Sequence, residues 1–140
     1  MSSHRPRPYP VIYAAVLLLT GVAAGAFGTH GLRFYIGPSL LEVWRTAVMY
    51  QIIHALGILI VYQLSLTLCA PVLRAACHLM LLATLCFSGS LYVLVITGEH
   101  KLGAVTPLGG LLFIAAWTVV TAGAWFTRTP DQGNDEETKP

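Results

Sequence analysis

The chain has 140 residues, of which 56% are hydrophobic and only 10% are charged, and its mean hydropathy is +0.70. Soluble domains carry about 25% charged residues, because their surfaces face water. The composition therefore excludes an ordinary soluble domain and indicates an integral membrane protein surrounded by membrane lipid. The net charge of +2, without a basic stripe, also argues against a nucleic-acid partner.

Four apolar blocks are long enough to span a membrane, because a hydrocarbon core of about 30 Å needs about 20 residues per helix. Continuous apolar runs exclude the alternating pattern of barrel strands, so the fold is predicted to be all-α. Short connections favour an antiparallel up-down bundle of four transmembrane helices in a single domain, 11–126. The predicted helices cover about 11–30, 39–68, 74–97 and 106–126.

The chain ends are predicted to lie outside the bundle. Residues 1–10 are expected to form a cytoplasmic segment, and residues 127–140 a disordered polar tail, because the ending is charged and lacks apolar periodicity. The stretch VAAGA in the first block is similar to a signal-peptide cleavage site. Since the apolar run exceeds the roughly 7 to 15 residues of a signal and three further blocks follow, we expect the first helix to be retained.

Arginine and lysine residues near the short connections predict the orientation of the bundle. One membrane face is flanked by Arg5, Arg7, Arg74 and Arg128. The other face is flanked by Arg33, Arg45 and Lys101. The slight excess on the first face favours a cytoplasmic location for both termini.

Two helix starts carry capping signals. In PSLLEVWRTAV, Ser39 and Glu42 have the spacing of a capping box, in which each side chain bonds the backbone N–H of the other residue. In TPLGG, Thr106 is suited to the N-cap and Pro107 to the first helical position, where its missing N–H costs nothing. These signals predict that the second and fourth helices begin at these two places.

A glycine-rich segment ends the first apolar block. Gly21 and Gly25 form a GxxxG pair, and Gly28 follows one heptad after Gly21, so a second helix can approach this stripe closely. The candidate packing partners are Ser88, Gly89 and Ser90 in the third helix, and Gly109 and Gly110 in the fourth. The histidine in GAFGTHGL leaves a second interpretation open, in which His30 belongs to a polar site.

Polar and small residues of the second helix fall on one stripe, an arc of about 120° on a helical wheel, and we expect this stripe to face inward. The stripe contains Glu42, Thr46, Tyr50, His54 and Gly57, and Gln51 lies outside it. His54 is expected near the bilayer centre, where an ionisable side chain is costly. It is either structural, with a hydrogen bond to Ser88, Tyr50 or a backbone carbonyl, or it is a proton or ligand relay.

An up-down topology collects polar residues at one membrane face, above His54 and Ser88. The residues at this face are His30, Glu42, Arg45, Glu99, His100 and Lys101. The candidate functional polar face comprises His30, Glu42, Arg45, Tyr50, His54 and Ser88. One interpretation is a solvated rim. The other is a vestibule towards His54, in which Glu42 pairs with Arg45 and His30 changes charge near neutral pH.

No catalytic, metal-binding or cofactor-binding residues are predicted. Cys69, Cys77 and Cys86 lack the spacing of a metal site, and a haem held by two histidines would need a second central histidine beside His54. The sequence also has no nucleophile motif or phosphate loop in a plausible context. We therefore expect a protein that is not an enzyme.

Three stretches of the chain resemble one known family. GAFGTHGL, WRTAVMYQIIHAL and FSGSLYVLVITGEHKLGAVTPLGG are similar, in order and spacing, to the signature stretches of the YgdD-like small membrane proteins, a domain of unknown function numbered four-two-three with eukaryotic relatives. The resemblance covers about Tyr13 to Trp125. It implies a four-helix integral membrane protein and supplies no activity. Thr29 and Met49 stand where the family commonly has an alanine and a basic residue.

Two classes of function remain for a protein that we expect in the cytoplasmic (inner) membrane of a bacterium. The first is a non-enzymatic accessory, assembly or interaction protein that binds another membrane protein or a second copy of itself. The second is a small oligomeric transporter or channel with a polar path from His30 to His54. We favour the first class, because the cytoplasmic half of each predicted helix is almost uniformly apolar, apart from His78.

Overall fold

The computed structural model describes residues 8–126, except for the side chain of His100. This part of the chain is 88% helical and contains no strand. Its four α-helices are α1 (Tyr9–His30), α2 (Pro38–Leu64), α3 (Ala70–Thr97) and α4 (Thr106–Trp125). Each is long and apolar enough to span a membrane, which confirms the all-α, four-helix prediction. The predicted tail at 127–140 and most of the predicted segment 1–10 lie outside the described residues.

A proline occupies one of the first two positions of each of these α-helices. At such a position the missing N–H has no intrahelical partner to lose, and the fixed φ of proline suits a helix. The four prolines are Pro10, Pro38, Pro71 and Pro107. Proline, rather than a side-chain cap, therefore marks the helix starts in this bundle.

The predicted capping box at Ser39 and Glu42 is wrong. The N-cap of α2 is Gly37 and no side chain caps it, because the helix starts two residues earlier than the box requires. Thr106 is also not an N-cap, since that position belongs to Val105 and Thr106 is the first residue of α4. Its hydroxyl oxygen lies 2.9 Å from the hydroxyl oxygen of Ser90 in α3 instead.

The connection between α2 and α3 starts and ends earlier than the sequence predicts. α2 ends at Leu64 instead of about residue 68, and α3 begins at Ala70 instead of about residue 74. Just after α2, the Leu66 N–H donates to the Gln63 carbonyl, a bond between residues three apart that tightens the chain into a turn. This short turn brings α3 back alongside α2.

α2 and α3 form the central pair of the bundle. α1 packs mainly on α2, and α4 packs mainly on α3, so that consecutive helices are antiparallel neighbours. Half of the membrane-spanning window of α2 is buried, compared with 22% in α1 and 17% in α4. The two outer helices therefore present most of their apolar side chains to lipid.

Small residues let neighbouring helices of the bundle approach closely. Six alanines are completely buried, namely Ala14, Ala47, Ala55, Ala76, Ala83 and Ala116. The larger side chains of Ile58, Leu73 and Met80 fill the space beside them. Lipid offers no hydrophobic driving force between helices, so close van der Waals packing of this kind drives their association.

Exposed aromatic side chains mark the two ends of the bundle. Tyr9, Trp125 and Phe126 lie at the end where α1 begins and α4 finishes, and Phe34 and Tyr35 lie at the opposite end. Trp and Tyr are enriched at membrane–water interfaces, because one part of each ring is apolar and the other is polar. These two sets of rings place the bundle across the membrane with its loops at the interfaces.

Candidate polar site within the bundle

Gln51 connects three helices in the middle of the bundle. It is the central residue of α2 and is only 5% exposed. Its Nε2 donates to the Leu17 carbonyl and to the Thr20 hydroxyl of α1, both at 2.8 Å, and its Oε1 accepts from the Tyr92 hydroxyl of α3 at 2.9 Å. The amide thus has partners on both its oxygen and its nitrogen, as a site in hydrocarbon requires.

The prediction that Gln51 lies outside the inward-facing stripe is wrong. The buried face of α2 includes Ala47, Ala55 and Ile58, which are four residues before, four after and seven after Gln51 and share its side of the helix. Glu42, at one end of the predicted stripe, is exposed. A lone amide in the middle of an apolar helix was the available signal, because such a group needs partners in lipid.

Trp44 fills the space that a glycine of α1 leaves. Its indole N–H donates to the Ala24 carbonyl at 2.9 Å. A Cβ added at Gly28 would lie 2.7 Å from Cδ1 of the indole. The ring centroids of Trp44 and Tyr92 are 4.6 Å apart. Sequence reasoning missed both aromatic residues, because an aromatic side chain in an apolar helix has no pattern that separates a junction from a lipid-facing position.

The glycine stripe of α1 faces side chains of α2. Gly21 lies against Ile52, Gly25 against Val48, and Gly28 against Trp44. The prediction that this stripe packs against α3 or α4 is therefore wrong. The predicted partners were Ser88, Gly89, Ser90, Gly109 and Gly110. The stripe does allow close approach of a helix, but the approaching helix is the next one along the chain.

Among the candidate glycines of α3 and α4, Gly109 is the one that brings two backbones together. A Cβ added at Gly109 would lie 2.6 Å from the backbone nitrogen of Phe87 in α3. At Gly110 the nearest atom would be 4.0 Å away, and at Gly89 no atom would lie within 4 Å. Gly109 is thus a close-packing position, whereas Gly89 faces open space.

His54 belongs to an aromatic cluster between α2 and α4. Its ring stacks on that of Phe113 with centroids 3.5 Å apart, and Tyr50 stacks on Phe87 at 4.4 Å. His54 Nδ1 lies 2.8 Å from the Tyr50 carbonyl oxygen. Because a carbonyl only accepts, Nδ1 carries the proton and donates. The sequence left a hydrogen bond to Ser88, to Tyr50 or to a backbone carbonyl open for His54. In the structure the partner is a backbone carbonyl of its own helix.

Ser88 and Ser90 bond other groups. The Ser88 hydroxyl donates to the Ala47 carbonyl of α2 at 2.8 Å, so it joins α3 to α2 and not to His54. The Ser90 hydroxyl lies within hydrogen-bond distance of Thr106 and joins α3 to α4. The two serines of the FSGS stretch thus hold α3 to the helices on its two sides.

The charged end of the candidate polar face is exposed. The side chains of His30, Glu42 and Arg45 are all exposed. Within residues 8–126 no ion pair joins Glu42 to Arg45. His54 lies on the side of α2 that faces α4. α1, which carries His30, packs on the side of α2 that includes Gln51. The structure therefore does not bring His30 and His54 together on one side of α2.

A groove opens between α1 and α3 in the apolar part of the bundle. Its volume is about 290 Å³, and its lining includes Ala24, Trp44, Gln51, Gly89 and Tyr92. The indole N–H and the amide of this lining already bond groups within the bundle. The groove therefore offers mainly apolar surface to whatever fills it.

The described part of the chain has no group of three or more His, Cys, Asp or Glu side chains arranged to hold a metal ion. Cys69, Cys77 and Cys86 are free thiols. Cys77 is buried, with its Sγ 3.7 Å from the Ile58 carbonyl oxygen of α2. A thiol in such surroundings behaves as a small apolar side chain with a weak donor.

Comparisons with known proteins identify relatives over most of the chain. The family described as "Protein of unknown function (DUF423)" matches residues 24–110. The UPF0382 membrane protein SH2409 of Staphylococcus haemolyticus is 43% identical over 110 residues, which cover 79% of this chain and 89% of that protein. The UPF0382 membrane protein YwdK of Bacillus subtilis is 42% identical over 115 residues, which cover 81% and 94%. No solved structure matches the chain.

The names of these relatives agree with the four apolar helices of the structure. The matched family region runs from the end of α1 to the start of α4 and contains the three stretches on which the sequence resemblance rests. It confirms that resemblance. The chain belongs to the DUF423 family, a family of small membrane proteins of unknown function.

Proposed function

We propose that this membrane protein is a non-enzymatic accessory or assembly protein of a bacterial cytoplasmic membrane, which binds another membrane protein through the α1–α3 groove. The observation that supports this proposal is a notch in the lipid-facing stripe of α3. Large apolar side chains line the stripe at Leu82, Leu85, Val93 and Ile96. Gly89 interrupts them, and no atom lies within 4 Å of a Cβ added there.

The chemistry of the groove suits a side chain from a partner helix. Small residues at Ala24, Ser88 and Gly89 let a helix come close, and its lining polar groups need no further partner. Association in lipid is driven by close packing and by helix–helix hydrogen bonds rather than by burial from water. A large apolar side chain inserted beside Gly89 would gain such packing from both α1 and α3.

The alternative function, a small oligomeric transporter or channel, requires a polar route from His30 to His54. Less supports it, because His30 is exposed on α1 whereas His54 faces α4 on the other side of α2, and because the polar side chains at mid-depth bond within the bundle. Gln51 and His54 are two examples. A route of this kind would have to form between copies of the chain.

We also propose that both termini are cytoplasmic. The structure has Arg33, Arg45 and Lys101 towards one end of the bundle and Arg74 towards the other. The excess that favours the terminal face comes from arginines at 5, 7 and 128, outside the described residues. A phosphatase fused after residue 140 should be inactive, and a green fluorescent protein fused there should fluoresce. The opposite result would reverse the orientation.

The partner proposal is tested by photo-crosslinking in living cells. A benzophenone amino acid at residue 89 should give one discrete adduct with a different membrane protein. The control position is Ile114 of α4, which is 65% exposed and near the middle of its helix. It should give lipid adducts alone. The variant Gly89→Leu, which fills the notch, should lose co-purification of the crosslinked partner.

Two outcomes would contradict the partner proposal. Adducts with lipid alone at both positions would mean that the groove is an ordinary lipid-facing surface. An adduct of residue 89 with a second copy of this chain, and with nothing else, would mean that the groove joins copies of the chain and does not bind a different membrane protein.

A further inference from the structure

A second groove lies between α1 and α2, and Trp44 lines both this groove and the first. The volume of the second groove is about 190 Å³. Gly25 and Gly28 of α1 form one wall, and Arg45, Val48 and Met49 of α2 line the other. The groove thus combines a cation with apolar side chains and the glycine backbone of α1, and nothing in the polar network of Gln51 uses it.

The cation of this groove lies at the depth of lipid headgroups. α1 has 22 residues, which at 1.5 Å per residue gives a length of about 33 Å, close to the thickness of a hydrocarbon core. Gly28 is two residues from the end of α1 and packs against Trp44, the neighbour of Arg45. Arg45 therefore lies beside the last turn of α1, within a few ångströms of the boundary between hydrocarbon and headgroups.

Arg45 lacks an anionic partner within the described bundle. Its side chain is exposed, and no carboxylate among residues 8–126 forms an ion pair with it. Glu42 lies one turn closer to the start of α2 and is also exposed. A guanidinium group keeps its charge at any ordinary pH, and it binds phosphate through two parallel hydrogen bonds. At this depth the abundant anion is the phosphate of a phospholipid.

The part of the groove below Arg45 fits an acyl chain. A Cβ added at Gly25 would meet only Val48, at 3.5 Å, so the backbone of α1 is open here. Met49 is 50% exposed beside it, and its flexible thioether adapts to irregular apolar partners. A chain that descends from a phosphate on Arg45 would lie against this strip of backbone and these two side chains.

We propose that the α1–α2 groove binds one anionic phospholipid, with its phosphate on the Arg45 guanidinium and one acyl chain against Gly25. Arg45 supplies the selectivity for anionic headgroups, and the glycine wall supplies the space for the chain. The site does not depend on the α1–α3 groove or on any protein partner.

Native mass spectrometry of the full chain, purified in mild detergent, tests this lipid site. Delipidated protein is titrated with phosphatidylglycerol or with phosphatidylcholine of the same acyl chains. We expect one phosphatidylglycerol to bind at least tenfold more tightly than phosphatidylcholine. Arg45→Gln should weaken phosphatidylglycerol binding by about tenfold, because it removes the charge-assisted bonds to phosphate.

The matched control is Arg33→Gln, which removes the same charge from the same membrane face. Arg33 lies outside the groove, with Cζ 4.6 Å from the ring centroid of Phe34, and its replacement should change binding by less than twofold. Gly25→Leu keeps Arg45 but fills the groove, and it should lower affinity for both lipids. Circular dichroism and thermal melting of each variant identify any loss of fold.

Four results would overturn the lipid proposal. One is an equal loss in folded Arg45→Gln and Arg33→Gln, which would indicate diffuse surface charge. The second is displacement of the lipid by inorganic phosphate at millimolar concentration, and the third is unchanged binding in folded Gly25→Leu. Either of these two would indicate an anion site without a chain site. The fourth is equal binding of the two lipids by the wild-type protein.

Discussion

α2 is held on its two sides by different kinds of contact. On the side of α1, Gln51 and Trp44 donate hydrogen bonds to backbone carbonyls of that helix. On the side of α4, His54 bonds a carbonyl of its own helix, and its contact across the gap is ring stacking on Phe113. Directional bonds fix the height of one helix against another, whereas stacked rings permit some sliding.

α4 takes its register from α3 instead. The backbone of α4 approaches that of α3 at Gly109, and the Ser90 and Thr106 hydroxyls lie 2.9 Å apart in the same junction. Because α3 already positions α4, the contact of α4 with α2 needs no directional bond. It consists of stacked rings, as between Phe113 and His54. The comparison shows that each outer helix of this bundle is positioned by one neighbour and only touched by another.

The largest effect is expected where two backbones meet. In Gly109→Ala the added methyl would lie 2.6 Å from the Phe87 nitrogen, so α3 and α4 must separate. We expect a loss of about 3 kcal/mol in the free energy of unfolding, at the upper end for overpacking. Denaturant titration in detergent, followed by circular dichroism, measures it.

Gly110→Ala is the matched control for that substitution. It is the next residue of the same helix, and the nearest atom to its added methyl is 4.0 Å away. It should leave stability unchanged or raise it slightly, because alanine is the better helix former. Equal losses in the two variants would mean that glycine flexibility, and not the close approach of α4 to α3, is what matters here.

The next largest effect is expected at the glycine under Trp44. In Gly28→Ala the new methyl would lie 2.7 Å from Cδ1 of an indole whose N–H also bonds the Ala24 carbonyl. Moving the ring costs packing and that hydrogen bond, together about 2 kcal/mol. The companion Gly25→Ala meets only Val48 at 3.5 Å, so it should melt like the wild type. Melting curves in the same detergent compare them.

The third largest effect is expected where hydrogen bonds of Gln51 join α2 to α1 and α3. Gln51→Leu removes the bonds to α1 and leaves the Tyr92 hydroxyl without its acceptor. Hydrogen bonds between membrane helices contribute about 0.6 kcal/mol on average and up to about 1.7, so we expect a loss of about 1.5 kcal/mol. Unfolding titrations of Gln51→Leu, Tyr92→Phe and the double variant form a double-mutant cycle. Additive losses would show that the two side chains act independently.

The sequence predicted the class and the number of helices because those depend on the apolar length of each block. It also identified close packing at Gly21 and Gly28, which stand one heptad apart, whereas Gly25, the second member of the GxxxG pair, has only an ordinary contact with Val48. The helix that packs against this stripe could not be predicted, because each of the other three helices has an apolar face that could lie against the glycines of α1. The capping box at Ser39 failed for a local reason, since Pro38 already starts the helix.

The hydrogen-bonded junction at Gln51 was missed because the inward face of α2 was inferred from the arc that holds most of its polar residues. In a bundle surrounded by lipid, burial follows the small residues, and Gln51 shares the side of Ala47 and Ala55. Polar residues at a helix end, such as Glu42, face the headgroups and carry no information about the inside. A lone amide or aromatic ring among small buried residues is therefore the better guide to helix junctions here.

The smallest predicted effect concerns the ring-stacked side. His54 donates to the Tyr50 carbonyl within its own helix. Its removal therefore leaves no group of another helix without a partner. What remains is the contact of its ring with Phe113 at 3.5 Å, and such ring pairs contribute about 0.5 to 1.5 kcal/mol beyond burial. We expect His54→Leu to lower the free energy of unfolding by about 1 kcal/mol.

His54→Phe separates the ring from its hydrogen bond, because phenylalanine keeps a stacked ring and cannot donate. It should unfold within about 0.5 kcal/mol of the wild type, since the ring pair is retained. If Phe were as destabilising as Leu, the Nδ1 hydrogen bond and not the ring contact would stabilise the α4 side of α2. The contrast between the two sides of α2 would then disappear. If Phe folds normally but cells lose a phenotype that the wild type restores, the proton on His54 has a role beyond structure, and the transporter alternative gains support.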